Sequence, residues 1–440
     1  MPHVAKISYI VMEIKRDYYL KQLIERQNNG LIKVITGIRR CGKSYLLFNL
    51  FYKYLINKGI NKRNIIKIAL DEASNAKYRN PLELDKYIRK ITSSDESKDF
   101  YIMLDEIQFV KEIENPWLPN SNEKIGFIDV LLGLMKIENA DIYVTGSNST
   151  MLSSDIVTQF RDKGDEIRVY PLAFSEYVTA FNNNYGEAWR NFYTYGGLPR
   201  TLSFSSHKNK YDYLDKLFTN TYLKDVIERH NIKNDKSVLD KLIRIIASSV
   251  GSLSNPKKLS DTLKSVEQVS MNPSTIELYL DYFIEAFIIG KAFRYNVKGK
   301  KYLDTPLKYY FTDVGLRNAL LGFRQQEENH IMENIIYNEL LIRGYSVDVG
   351  VVEYRHRDAN KKEIRSQLEV DFIARNGGKN WYIQSALNVD TEEKRLQETN
   401  SLVRIPDSFT KTVVVKDHIV PWTDEKGIEY IGIRDFLLNK

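Results

Sequence analysis

The sequence has a single cysteine among its 440 residues, so the chain cannot form an internal disulfide. It has no uninterrupted apolar stretch long enough to span a bilayer. Residues 1–20 carry scattered acidic and basic side chains and lack the apolar core and small-residue cleavage site of a signal peptide. From these absences we expect a cytoplasmic protein with a reduced thiol and no membrane contact.

Composition sets few further limits. Hydrophobic residues make up 43% of the chain and charged residues 28%, which is ordinary for a globular protein. The length allows about three domains, and we find neither internal repeats nor low-complexity tracts. The net charge of +7 permits a polyanionic partner but does not require one.

The first part of the chain alternates short apolar runs with longer helical patterns. This alternation predicts an α/β fold with a parallel sheet. The runs lie at residues 31–35, 65–70, 100–104, 141–146 and 166–172.

Between the first run and a helical segment stands "GIRRCGKS", which fits the pattern G-x-x-x-x-G-K-[ST] in its required strand–loop–helix context. Two glycines allow backbone conformations that a Cβ would block, so the loop amides can point at phosphate oxygens. Lys43 would bring its charge to the β- and γ-phosphates, and Ser44 would offer its hydroxyl to Mg²⁺. The residues predicted to bind nucleotide are Gly37, Ile38, Arg39, Arg40, Cys41, Gly42, Lys43, Ser44 and Tyr45.

The only cysteine therefore lies inside the predicted phosphate loop. A neutral small residue is the ordinary occupant of that position. A helix N-terminus and a nearby lysine would nevertheless stabilise a thiolate. We therefore also consider that Cys41 is reactive and that ATP protects it.

A second element is predicted at "FYIMLDEIQ", where an apolar strand ends in two carboxylates. Asp105 would hold the hydration shell of Mg²⁺, and Glu106 would act as the catalytic base that polarises the attacking water. Two acids after a strand are often only a solvated loop. The presence of the phosphate loop makes the catalytic interpretation the stronger one.

A third element is predicted at "DIYVTGSNSTML", which ends in a polar cluster from Thr145 to Thr150. Ser147 or Asn148 could hydrogen-bond the γ-phosphate or the attacking water. The same residues could equally cap the next helix. We keep both interpretations and take Asn148 as the candidate catalytic residue.

The order of these motifs resembles that of AAA-type P-loop ATPases, and more narrowly a prokaryotic branch related to the archaeal ATPases. In that branch a "TGSN"-like strand end precedes a "YPLAFSEY"-like segment, a "GG-x-P" turn and a C-terminal domain of unknown function. Here these correspond to Thr145–Asn148, Tyr170–Tyr177 and Gly196–Pro199. The resemblance implies ATP and Mg²⁺ as cofactors and a sheet with strand order 5-1-4-3-2.

The resemblance also implies a Gly-Arg pair before the "YPLAFSEY"-like segment. Arg161 is the nearest equivalent, with Phe160 in place of the glycine. Such an arginine could stabilise transition-state charge within one copy or from a neighbouring copy, so a homo-oligomer remains open. Arg161 could also be an ordinary surface residue, and Arg200 is a weaker candidate.

Four regions are predicted. They are an AAA-type core at 1–180, a helical lid-like segment at 181–235, a winged helix at 236–322 and a C-terminal domain at 323–440. In the third, "NPSTIELYLDYFIEAFII" reads as a helix followed by a basic hairpin at 291–301. The hairpin suits a DNA phosphate backbone or a protein partner. Its cations are Lys291, Arg294, Lys298, Lys300 and Lys301.

The C-terminal region resembles a PD-(D/E)xK nuclease fold. Glu333 on a helix and Asp371 on a strand match two acids of that pattern. Gln384 and Ala386 stand where the resemblance implies an acid and a lysine. Because alanine cannot stabilise charge, we expect a degenerate nuclease domain used for binding, with a protein as its candidate partner.

The sequence thus predicts an ATPase whose nucleotide state controls a DNA- or partner-binding module. Two alternatives stay open: a slow nucleotide switch that engages a protein without DNA, and an ATP-gated nuclease.

Overall fold

The computed structural model describes residues 13–94, 98–146, 163–232, 236–324, 327–357 and 363–439. Over these ranges the chain is a mixed α/β protein with a five-stranded sheet, an eight-stranded sheet and a small two-stranded one. No helix in the described ranges combines the length and apolar character needed to cross a membrane.

The five-stranded sheet is parallel throughout. Its strand order is β2-β3-β6-β1-β7, which reads 5-1-4-3-2 from the β7 edge when the five strands are numbered along the chain. The three central strands are buried along nearly their whole length, which explains their unbroken apolar runs. The strands of this half of the chain are β1 (Ile32–Thr36), β2 (Ile65–Ala69), β3 (Phe100–Asp105), β4 (Ile113–Glu114), β5 (Lys124–Ile125), β6 (Ala140–Thr145) and β7 (Gly164–Arg168).

The strand order decides where a ligand can bind. Strand β6 lies between β1 and β3, with Ile35 paired to Thr145 and Leu104 paired to Val144. The carboxyl ends of all three strands therefore meet at one edge of the sheet. In open α/β sheets ligands bind at this edge.

The helix that follows β1 runs over residues 43–57 and contains a π-helical stretch, Leu46–Phe51. Its buried side chains include Leu47, Phe51 and Leu55, which recur every four residues and face the core. The helices of this half are α1 (Asp17–Glu25), α2 (Lys43–Tyr45), α3 (Tyr52–Asn57), α4 (Pro81–Thr92), α5 (Phe127–Leu134), α6 (Phe174–Tyr177), α7 (Tyr185–Tyr195), α8 (His207–Leu217) and α9 (Lys224–Arg229).

Three helices follow: α10 (Lys236–Ser248), α11 (Pro256–Glu267) and α12 (Pro273–Glu285). Helices α11 and α12 each begin with an Asn-Pro pair. Asn255 accepts a hydrogen bond from the N–H of Lys258 at 2.8 Å, and Asn272 accepts one from the N–H of Ser274 at 3.1 Å. Both helices have proline in their first turn, where a backbone N–H would have no hydrogen-bond partner within the helix.

The eight-stranded sheet has the order β14-β15-β13-β12-β11-β10-β8-β9. Strand β8 of the basic hairpin pairs in parallel with β10. The eight-stranded sheet therefore contains strands from both sides of the predicted domain boundary at 322/323. Its strands are β8 (Ile289–Asn296), β9 (Lys301–Phe311), β10 (Ser346–Arg357), β11 (Glu363–Asn376), β12 (Lys379–Ala386), β13 (Thr410–Val415), β14 (Trp422–Thr423) and β15 (Ile428–Gly432). Its helices are α13 (Val314–Leu320), α14 (Glu328–Ile342), α15 (Glu392–Thr399) and α16 (Ile433–Leu438).

A buried carboxylate joins the two halves of the chain. Asp313 accepts hydrogen bonds from the N–H groups of Gly197 at 2.7 Å and Leu316 at 3.1 Å. Burial raises the pKa of Asp313 to about 6, and these N–H groups act against the rise. The Asn318 amide also donates to the carbonyl of Tyr193 at 3.0 Å. The "GGLP" turn and the "TDVGLRN" segment are therefore interlocked.

Candidate nucleotide-binding site

The loop between β1 and α2 has the backbone of a phosphate-binding loop. Gly37 and Gly42 have φ values of +138° and +105°, where a Cβ is strained. A Cβ on Gly37 would also overlap the carbonyl oxygen of Val169, which follows β7. Arg40 adopts a φ of +66° without being glycine. The loop is therefore curled at the N-terminus of the following helix, as anion binding requires.

Lys43 is 4% exposed and lies folded over this loop. Its Nζ donates to the carbonyl oxygens of Gly37 at 2.8 Å and Ile38 at 3.2 Å. The ammonium group thus lies inside the curl of the loop, where its charge can meet an incoming phosphate.

Asp105 and Ser44 come together at the carboxyl edge of the sheet. Asp105 is 5% exposed, and burial raises the pKa of its carboxyl. Hydrogen bonds from the hydroxyls of Thr145 and Ser44 act against that rise. One carboxylate and one hydroxyl are thereby held side by side.

These oxygens fit a hard divalent cation that draws its other ligands from phosphate and water, as Mg²⁺ does. In the part of the chain that the structure describes, no group of three or more His, Cys, Asp or Glu side chains could hold a metal. Ser44 and Asp105 supply two oxygen ligands, which suits a cation that takes its remaining ligands from phosphate and water.

Glu106 lies next to this pair in a left-handed backbone conformation, with φ of +53°. Its N–H donates to the Thr145 hydroxyl at 3.0 Å, and that hydroxyl donates to Asp105. Gln108 donates its amide to the Glu106 carboxylate. Thr145 thus positions Asp105 and Glu106. The sequence indicated Thr145 only as the first residue of a polar cluster.

Three of the predicted residues cannot be placed. Ser147, Asn148 and Arg161 lie within residues 147–162, outside the described ranges. The other residues of the predicted site, at 37–45, 105 and 106, are all described.

Two arginines, Arg39 of the loop and Arg229 of α9, lie where the phosphate loop meets that helix. Arg39 forms an ion pair with Asp225 of α9 at 2.8 Å, and its carbonyl accepts a hydrogen bond from Tyr222 at 2.8 Å. Burial lowers the pKa of Arg229, with Asp225 and Glu106 acting against this and Arg39 adding to it. Arg229 therefore lies within electrostatic range of the loop and of Glu106. Neither contact had a local sequence signal.

Arg16 supports the phosphate loop by donating to one of its carbonyl oxygens. Its guanidinium is 3% exposed and donates to the carbonyls of Cys41 at 3.0 Å and Tyr170 at 2.7 Å. It also forms an ion pair with Glu176 at 3.0 Å. Arg16 thereby ties the phosphate loop to the "YPLAFSEY" segment, and nothing in its own neighbourhood of the sequence indicated this.

The Cys41 side chain is fully buried, with Sγ 3.3 Å from the carbonyl oxygen of Val169. This burial contradicts the reactive-thiol interpretation, since buried structural cysteines are inert. We expect native protein to react with N-ethylmaleimide at least about 100-fold more slowly than urea-unfolded protein, because labelling needs a local opening. A mass-spectrometric time course with and without ATP and Mg²⁺ measures this. Rapid native labelling that ATP suppresses would restore the reactive thiol.

The basic hairpin divides into paired and exposed cations. Lys291 lies 3.6 Å from Asp281, and Arg294 donates to Gln367 at 3.3 Å. Lys298, Lys300 and Lys301 are exposed at the turn between β8 and β9. The turn is therefore the part of the hairpin best placed to meet a polyanion.

The C-terminal residues predicted from the nuclease resemblance lie near one another. Asp371 on β11 donates its N–H to the side-chain oxygen of Gln384 on β12 at 3.4 Å. Ala386 is buried. Glu333 on α14 and Asp371 both contact a lysine from outside the predicted pattern, Lys308.

Comparison with known families assigns the two parts of the chain separately. Residues 29–178 match a family described as an AAA domain. Residues 186–327 match a family described as a domain of unknown function (DUF8612).

Two relatives align along nearly the whole chain. An uncharacterized protein of Haemophilus influenzae is 33% identical over 431 residues, which are 97% of this chain and 99% of that protein. An uncharacterized protein of Methanocaldococcus jannaschii is 26% identical over 442 residues, covering 96% of this chain and 88% of that protein.

Solved structures resemble the chain more weakly. The Walker-type ATPase PABY2304 of Pyrococcus abyssi is 16% identical with a TM-score of 0.46, covering 70% of this chain and 96% of that one. The Aeropyrum pernix ORC1 protein in complex with DNA is 12% identical with a TM-score of 0.31, covering 70% and 93%. Both similarities are too low to carry a conclusion about this chain.

Proposed function

We propose that the chain is an ATPase. It belongs to the same family as the Haemophilus influenzae protein, and its N-terminal part is an AAA-type P-loop ATPase domain. The proposal is that the chain binds ATP with Mg²⁺, hydrolyses it, and uses the nucleotide state to control a DNA-binding surface. One observation carries it: Ser44, Asp105, Thr145 and Glu106 are hydrogen-bonded to one another at the sheet edge beside the phosphate loop.

The proposed roles follow from this geometry. The amides of loop 37–42 and the Lys43 ammonium bind the phosphates. Ser44 and Asp105 would hold Mg²⁺, which when bound neutralises charge on the β- and γ-phosphate oxygens. Glu106 accepts a proton from the water that attacks the γ-phosphorus. Thr145 keeps the two carboxylates in place.

Charge that develops on the γ-phosphate also needs a cationic partner. Asn148 and Arg161 remain predictions for the phosphate-sensing and arginine roles. Within the described ranges, Arg39 and Arg229 are further candidates, because both lie at the interface between the loop and α9. Asp225 holds Arg39 at this interface by an ion pair, and a bound phosphate would compete with Asp225 for the guanidinium.

A continuous set of contacts supports coupling to the rest of the chain. Arg16 joins the carbonyl of Cys41 in the loop to that of Tyr170, and the N–H of Leu172 donates to the carbonyl of Gly197 in the "GGLP" turn at 2.8 Å. The turn that ends at Pro199 is held by Asp313, which begins α13. The Arg168 guanidinium lies over the ring of Phe287, just before β8, at 4.9 Å. Movement of the loop on phosphate binding can therefore reach the hairpin.

We infer that α10–α12 and the β8–β9 hairpin form a winged-helix arrangement whose hairpin turn contacts DNA. The exposed lysines of the turn and the net charge of +7 support a polyanionic partner. A protein partner at this surface, with ATP serving a slow switch, is the competing function.

Charge reversal at Lys298, Lys300 and Lys301 is expected to weaken DNA binding and to lower its salt dependence. Each lost phosphate contact removes about 0.9 from the slope of log K against log salt, so the triple variant should lose up to about 2.7. Fluorescence anisotropy with duplex DNA at several salt concentrations measures both quantities. ATP turnover with and without DNA, measured in parallel, tests coupling.

The matched control reverses Lys62, Lys86 and Lys90, which are exposed on the parallel-sheet half of the chain. This control changes the net charge equally but should keep the wild-type slope. Equal DNA binding by both triple variants would mean that the hairpin does not contact DNA. ATP turnover that DNA leaves unchanged would favour the protein-partner switch.

A further inference from the structure

A lysine lies among three carboxylates in the eight-stranded sheet. Lys308 on β9 donates to Glu333 Oε1 on α14 at 2.8 Å and lies 2.6 Å from Glu369 Oε1 on β11. Asp371 Oδ1 on β11 is 3.8 Å away. Tyr310 donates its hydroxyl to the same Glu333 oxygen at 2.6 Å. One ammonium group therefore joins a hairpin strand, a helix and a second strand.

The environment keeps this lysine charged. Lys308 is about as buried as Lys43, with 3% of its surface exposed. Burial lowers the pKa of Lys308, but Glu333, Asp371 and Glu369 outweigh burial and leave that pKa above the usual lysine value. The ammonium thus acts as a permanent cation inside the cluster.

A metal ion does not fit the same place. The nuclease resemblance implies a divalent cation bound by carboxylates at about 2.0–2.6 Å. A cation bound to the same oxygens would collide with the Lys308 ammonium and repel it. The neighbouring groups do not compensate, since Gln384 is neutral and its oxygen accepts from the N–H of Asp371. The second oxygen of Asp371 accepts the N–H of Ser385 at 2.8 Å.

We propose that Lys308 takes the place of a divalent cation in this cluster, and that the C-terminal module is a closed, metal-independent form of a nuclease-like site. The lysine neutralises the acids that a metal would neutralise. It also fastens the hairpin strand β9 to the helix and strand that supply those acids. The inference is independent of ATP hydrolysis.

The test is Mn²⁺ binding to the nucleotide-free full chain, followed by electron paramagnetic resonance, with thermal unfolding as the second readout. Wild type should show no Mn²⁺ site that Asp371→Asn removes, and no Mg²⁺- or Mn²⁺-dependent cleavage of DNA. Lys308→Ala leaves three acids without their cation. It should unfold at a lower temperature and gain a Mn²⁺ site, with Mn²⁺ raising its midpoint by at least about 2 °C.

The matched controls are Lys308→Ala/Asp371→Asn, which should lose the new Mn²⁺ site, and Lys379→Ala, an exposed lysine on β12 of the same sheet, which should behave as wild type. The proposal is overturned if Lys308→Ala folds and gains no Mn²⁺ site. It is equally overturned if wild type binds Mn²⁺ or cleaves DNA in a manner that Asp371→Asn abolishes. This wild-type comparison decides the question even if Lys308→Ala fails to fold.

Discussion

Replacing Lys43 with alanine is expected to weaken ATP binding by at least about 100-fold. The physical reason is the loss of charge-assisted hydrogen bonds to two phosphates, each of which contributes about 1.5–3 kcal/mol. The loss is partly offset because the wild-type lysine must first leave the carbonyls of Gly37 and Ile38. Isothermal titration calorimetry with ATP and Mg²⁺ measures the dissociation constant directly.

The control for this variant is Lys53→Ala, in the same helical stretch. Lys53 is 61% exposed and pairs with Glu13 at 3.0 Å, far from the loop curl. It should bind ATP as wild type does. Because Lys43 also holds two loop carbonyls, thermal unfolding of Lys43→Ala should be compared with wild type. A folded Lys43→Ala protein with unchanged ATP affinity would remove the basis of the proposed function.

Glu106→Gln is expected to bind ATP normally and to hydrolyse it about 10²–10⁴-fold more slowly, the usual contribution of a general base. The amide keeps the size of the side chain but cannot accept the proton of the attacking water. The backbone N–H that bonds to Thr145 is unaffected by the change. Single-turnover hydrolysis, measured beside ATP binding, separates the two effects.

Glu112→Gln serves as the matched control. Glu112 is an exposed carboxylate a few residues further along the chain, 3.7 Å from Lys124. Its replacement should leave turnover unchanged. If Glu106→Gln hydrolyses ATP within about twofold of wild type, the base must be sought elsewhere.

The elements that sequence reasoning could predict are those encoded by contiguous residues. The phosphate loop needs Gly37, Gly42, Lys43 and Ser44 within eight residues, and an AAA domain is confirmed for this region. The parallel sheet was predicted from runs of apolar residues and is also confirmed. Asp105 was predicted to belong to the same site because an acidic strand end accompanies a phosphate loop, and in the folded chain the Ser44 hydroxyl bonds to its carboxylate.

The parts that could not be predicted depend on contacts between distant residues. Arg16 reaches Cys41 and Tyr170, and Asp225 reaches Arg39, across separations that no local pattern reports. Lys308 likewise contacts carboxylates that lie far from it in the sequence, Glu333 and Glu369. The nuclease pattern requires a lysine two residues after Gln384, but the cluster receives its cation from a strand earlier in the chain.

The prediction for Cys41 was incomplete for a different reason. A helix N-terminus and a lysine do favour a thiolate, but only in a thiol that solvent or a reagent can reach. Packing of the residue after β7 against the loop decides accessibility, and that packing is a property of the folded chain.

The pairing of β8 with β10 has a consequence for how such proteins can diversify. A lineage that exchanged its C-terminal module at the boundary between residues 322 and 323 would pair the incoming β10 with a β8 from another chain, to which its side chains are not matched. It would also separate Lys308 from the acids that it neutralises. Strands β8 and β9 and the C-terminal strands therefore share one sheet, so an exchange at that boundary leaves the sheet intact only if it keeps both the β8–β10 pairing and the Lys308 ion pairs.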